Sequence, residues 1–141
     1  MRNPGVALQT EYFRLLNNQI TGVAVYDAVP ANPTYPYIEI GAYGNNSLSD
    51  KSNFGNAVTQ SLSVVDRQDA VSGGSRKKLY EAVDSMLQIV CARPSPFSAT
   101  GWNFYVGVLD NELYREELTT THRYRICEVR IRHQIQDTTQ P

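Results

Sequence analysis

The sequence predicts an α+β domain, an antiparallel sheet of about four to five strands with two main helices packed on one face. Three observations carry that expectation. Leu79, Val83, Met86, Leu87 and Val90 recur at i, i+4, i+7, i+8 and i+11, the single apolar stripe of a helix. Val58, Leu62 and Val64 share one parity while Thr59, Ser61 and Ser63 share the other, as in a strand with one covered face. Prolines bracket the run from Val25 to Gly41, and directly after Pro36 the residues Ile38 and Ile40 alternate with Tyr37 and Glu39.

Taken in order, Asn3-Pro4 suits an N-cap followed by a first helical residue. Leu8, Tyr12, Leu15 and Leu16 then predict an amphipathic helix over about 4–18, stopped at Asn17-Asn18. Val23 to Tyr26 is a short strand, Asp27 to Pro36 a proline-bound loop, and 37–43 a strand. Residues 44–56, rich in Gly, Asn and Ser with only Leu48 and Phe54 apolar, read as a long loop of the kind that carries function. Ala57 to Asp66 is the alternating strand. Ser75 caps the main helix, about 75–91, and Pro94 ends it. Residues 95–101 form a second loop, and 102–108 has strand character. The region 110–117 is polar and follows no period. The last strand runs from about 119 to 135, with a parity switch between Ile126 and Cys127 that signals a bulge or a change of covered face. A single domain of 141 residues follows, with a flexible tail over 136–141.

Composition narrows the function. A formal net charge of −1 argues against generic binding to nucleic acid or membrane and lowers the barrier to association. Nine tyrosines favour protein interfaces, where a ring with a polar tip serves well. No stretch approaches the roughly 20 apolar residues that cross a bilayer, and Met1-Arg2-Asn3-Pro4 does not begin a signal peptide, so synthesis in a cytoplasm is expected. Cys91 and Cys127 read as small buried hydrophobes.

The residues with chemical potential lack the patterns chemistry needs. His122, His133 and the two cysteines have no metal-ligand spacing, and no nucleophile elbow occurs. Glu112, Glu116 and Glu117 read as a solvated connector. Gly73-Gly74-Ser75-Arg76-Lys77-Lys78 opens a helix as a phosphate cradle does, but without the P-loop spacing. No catalytic residue, metal or cofactor is expected. Arg76 and Lys77 sit where the helix dipole is already positive. Asp66 and Asp69 are the local candidates to neutralise them, an acidic patch on a partner subunit the alternative. Arg130 and Arg132, opposite the apolar Val129 and Ile131, mark either a solvated face or one that meets a subunit or lines a pore. With Leu48, Asp50, Lys51 and Phe54 of the long loop, these four cations are the candidate protein-interaction residues.

Several of these pieces resemble the tail completion proteins of long-tailed phages, also called tail terminators or tail-to-head joining proteins. The pieces are Val25-Tyr26-Asp27-Ala28-Val29-Pro30, Tyr35-Pro36-Tyr37-Ile38-Glu39-Ile40-Gly41, Gly55-Asn56-Ala57-Val58, the helix at 75–91 and the basic final strand. The chain departs from the common pattern at Val65-Asp66, where the family often carries Trp, and in the more charged region 110–118. The resemblance implies a non-enzymatic virion protein, a hexameric ring that caps the tail tube, ends its polymerisation and joins it to the head. Its implied partners are copies of itself, the tail tube protein and a head-completion or connector protein. No membrane or sequence-specific nucleic acid is implied, although a genome would pass through the ring. A head-side connector or stopper ring is the alternative, followed by a host interaction domain or a small hydrolase.

Overall fold

The computed structural model describes residues 3–47, 55–71 and 74–139. Two helices, α1 (Gly5–Leu16) and α2 (Lys77–Val90), accompany six strands: β1 (Ala24–Tyr26), β2 (Tyr37–Ser47), β3 (Gly55–Asp69), β4 (Trp102–Phe104), β5 (Val108–Leu118) and β6 (His122–Asp137). The sheet runs β1-β2-β3-β6, and β4 and β5 share the far side of β6, β4 along Ile135–Asp137 and β5 along Arg123–Arg132. The sheet is mixed, which corrects the antiparallel expectation. β1 lies parallel to β2, Val25 opposite Ile38, because the connection through Pro36 carries the chain back before it re-enters the sheet. Every other pairing is antiparallel.

The helices begin and end for local reasons. The Asn3 side chain accepts the Gly5 N–H at 2.7 Å, and α1 stops where Asn18 turns to φ 59°. Ser75 Oγ accepts the Lys77 N–H at 3.0 Å and serves α2 in the same way. The stripes Leu8-Tyr12-Leu16 and Leu79-Val83-Met86-Val90 are buried against Ile38, Ile40, Val58, Leu62, Val64, Cys127, Val129, Ile131 and Ile135. One parity of each long strand therefore faces the helices, and the other parity forms an outer face.

Two features of the ladder differ from the sequence expectation. The strand pair β2–β3 reaches Ser47 and Asn56, so the ends of the predicted 44–56 loop are strand. Within β2 the register shifts between Ile40 and Tyr43, and the buried Gln60 explains how the shift is tolerated. Its Nε2 donates to the carbonyls of Gly41 (2.7 Å) and Ser61 (2.9 Å), groups that irregular pairing strands. Gln60→Leu is expected to cost about 1–3 kcal/mol in a urea titration, since it removes the buried donor that both carbonyls share.

The parity switch in β6 is a change of cover and not a bulge, since β3 and β6 pair without a break from Gly55 opposite Gln136 to Asp69 opposite His122. Ile126 lies on the outer face and is nevertheless buried beside Val65, Tyr37 and Tyr124. The loop 94–101 is pinned. Phe97 packs edge-on to Tyr12 at 4.9 Å, and Glu11, buried on α1, accepts the Ser98 N–H at 2.5 Å. Arg14 holds that carboxylate with two hydrogen bonds of 2.8 Å and reaches the Pro96 carbonyl at 3.1 Å. Farther on, a Cβ at Gly107 would sit 2.9 Å from the Val90 carbonyl oxygen and 2.8 Å from His133, so only glycine lets the chain pass between β4 and β5 this close to α2.

Candidate protein-interaction surface

The start of α2 is tied to the sheet by a charged network. Arg125, buried on the helix-facing side of β6, donates to Glu116 at 3.0 Å and to Gln68 Oε1 at 2.5 Å. Arg76 reaches the same Glu116 oxygen at 2.9 Å, and Gln68 Nε2 donates to the Ser75 carbonyl at 2.6 Å. Gly74 must be glycine here, for it has φ 68° and a Cβ would fall 2.7 Å from the Gln68 amide. Partial desolvation works against ionisation of Glu116, but the Arg125 hydrogen bond and the charges of Arg76 and Arg125 prevail and hold its carboxyl below the ordinary value. Two cations at the start of α2 are thus paired within the chain. Arg76 is served by Glu116 and Lys77 by Glu81 at 3.7 Å, whereas Asp69 caps the Val71 N–H and Asp66 lies near Gln68. Glu116 and Glu81 are therefore partners that the sequence expectation, which named Asp66 and Asp69, did not include.

Arg130 and Arg132 stand on the outer face, opposite Ser61 and Thr59 of β3. Arg132 lies 3.9 Å from Asp110, and the nearby Arg115 pairs with Glu117 and, at 3.2 Å, with Glu128. Neither helix covers this face. The structure therefore separates the candidate cations: Arg76 and Lys77 belong to the helix side, Arg130 and Arg132 to the outer side. Leu48, Asp50, Lys51 and Phe54 lie outside the described residues.

The feature that sequence reasoning missed is β5. All eleven of its residues are exposed, and among the described residues it pairs with β6 alone. Its helix-side parity holds Leu109, Glu112, Tyr114, Glu116 and Leu118, and its outer parity holds Val108, Asn111, Leu113, Arg115 and Glu117. Asp110 is the odd residue at a register shift between Leu109 and Asn111. Ten large hydrophobic side chains are exposed among the described residues, and seven lie in or beside this strand: Tyr80, Tyr105, Val108, Leu109, Leu113, Tyr114 and Leu118. That concentration marks an interface, because an apolar strip on an open sheet edge invites a second chain. No period in the sequence marks the strand, since its apolar residues fall on both parities among the acids.

At the far corner of the outer face, Tyr26, Tyr37, Tyr35, Tyr124 and His122 form a row with centroids 5.4–6.3 Å apart, and Arg67 lies 4.5 Å over Tyr35. Several tyrosines are thereby engaged in holding the 27–36 loop to the sheet. Burial pushes the Cys127 thiol up to about 11 and raises that of Cys91, so neither supplies a thiolate at neutral pH. Among the described residues no cluster of His, Cys, Asp and Glu is placed to hold a metal, and no helix is long and apolar enough to cross a membrane.

Among solved structures, this architecture is similar to that of a chain in the virion of a native gene transfer agent particle. The TM-score is 0.74 at 21% identity, over 96% of this chain and 99% of that chain. The likeness is one of fold. No family model and no curated protein matches the sequence.

Proposed function

We propose that the chain is a structural virion protein, a subunit of a hexameric ring that caps a phage tail tube, ends tube polymerisation and joins the tail to the head connector. The observation that carries this reading is the whole-length agreement in fold with a chain of a gene transfer agent virion. The exposed strip on β5 supports it, since a capping subunit needs surfaces for other chains and no bond-making machinery. Ending a polymer requires only that one face of the ring match the last tube ring while the other does not. That the two sides of this sheet differ, one covered by helices and the other open, supports the reading.

The test is imaging of purified particles that carry a tagged copy of the chain. Label at the junction of tail and head is expected. Label on the head side of tailless particles would favour the connector or stopper reading, and particles free of the chain would overturn both.

A further inference from the structure

We infer that the free edge of β5 pairs with β5 of a second copy, antiparallel across a two-fold axis through Leu113, so that two sheets become one. This goes beyond the ring reading: it shares the exposed strip of β5 with that reading and adds charge and register. Since a polar cyclic ring has no two-fold axis between neighbours, the pair is a state of the free chain that opens before a ring closes. The first observation is area. The seven exposed apolar side chains in or beside β5 present on the order of 500 Å² per copy, a large part of the roughly 800 Å² per partner that a stable interface buries. The second is charge. The strand is rich in acids, but Glu116 is held by Arg76 and Arg125, Glu117 by Arg115, and Asp110 faces Arg132. Glu112 accepts the Tyr114 hydroxyl, and an edge whose other acids are paired within their own chain repels its copy only weakly.

The third observation is register. In a two-fold antiparallel pair, residues on the same face stand opposite one another. Centring the axis on Leu113 sets that residue, 54% exposed, against itself on the outer face. Glu112 then stands opposite Tyr114 of the second copy, and Asn111 opposite Arg115. No two like charges are directly opposed, and Asp110 is already displaced by the register shift. Centring on Glu112, Tyr114 or Arg115 instead opposes Glu112 to itself, Glu112 to Glu116, or Arg115 to itself. Only the Leu113 register is free of such a clash among these four.

Sedimentation of the full chain over a range of concentrations provides the test. A monomer–dimer equilibrium is expected, and Leu113→Lys, which sets two ammonium groups on the axis, is expected to weaken it about 30-fold or more with the circular dichroism unchanged. Leu113→Cys in a Cys91→Ser background is expected to form a disulfide-linked dimer under mild oxidation, whereas Leu118→Cys, whose copies lie far apart across the axis, does not. A chain that stays monomeric throughout, or dimers indifferent to Leu113→Lys, would overturn the pairing. Free chain in which the Leu113→Cys variant fails to cross-link would also overturn it while leaving the ring reading intact. Cross-linked dimers of a chain absent from particles would do the reverse.

Discussion

Between pH 7 and pH 4 the chain is expected to lose about 3 kcal/mol of folding stability through one side chain, His133. Its ring is 1% exposed, packed edge-on against Tyr12 and Phe97 at 5.5 and 4.8 Å, and its Nε2 is hydrogen-bonded to the Tyr12 hydroxyl. Burial disfavours the imidazolium and lowers the pKa from 6.5 to about 4. The unfolded chain takes up a proton as the pH falls through 6.5, whereas the folded chain refuses it until about 4. Stability is therefore complete above 6.5, falls through the interval and levels off below 4. Glu11, held below its ordinary value by Arg14, adds its loss only at the acid end, so the slope between pH 6.5 and 5 belongs to His133.

Urea midpoints at several pH values check this, with variants that separate charge from packing. Tyr12→Phe at pH 7 is expected to cost about 1–3 kcal/mol, because it leaves His133 buried with no hydrogen bond at Nε2. The pair Tyr12→Phe with His133→Leu removes both polar partners and is expected to lie closer to the parent at pH 7 than Tyr12→Phe alone. It is also expected to abolish the slope between pH 6.5 and 5. A slope that persists in the double variant would place the acid sensitivity elsewhere in the molecule.

How far the sequence disclosed this architecture follows from what makes a pattern. The stripe from Leu79 to Val90 and the alternation from Val58 to Val64 are legible because a covered face imposes its period on the residues. β5 has no covered face, so burial impressed no period on Val108–Leu118, and its acids read as a connector. The direction of β1 was equally hidden. Three residues carry no directional signal, and the parallel pairing is set by the length and path of the 27–36 connection. In the Arg125–Glu116–Arg76 network, Glu116 and Arg125 are cross-strand neighbours nine positions apart. Arg76 joins them from 40 positions away through tertiary contact, which the order of residues along the chain does not show. Of the candidate interaction residues, Arg76, Lys77, Arg130 and Arg132 are exposed. That they divide between opposite sides of the sheet depends on where the helices pack, which residue type does not state.

Replacing residues 48–55 by Asn-Gly is expected to leave the fold intact and to abolish joining of tails to heads. The geometry permits the replacement, since Ser47 and Asn56 stand opposite one another at the end of the β2–β3 ladder and two residues of this type close such a pair in a type I′ turn. Removing the segment also shortens the stretch of chain between the paired ends of β2 and β3, so the melting temperature is expected to hold or rise slightly. The functional loss follows from the proposed ring. A subunit that seats on a tube through one face must reach the head component with another, and Leu48, Asp50, Lys51 and Phe54 offer apolar and charged contacts in the segment that links β2 to β3. Complementation of a particle-producing strain that lacks the chain measures the outcome, with heads, tails and joined particles counted in negative stain. Free heads beside tails of normal length would assign the segment to joining, and overlong tails would assign it to capping. Fully joined, infective particles would remove the segment from both roles and leave the outer face, with Arg130 and Arg132, as the surface to alter next.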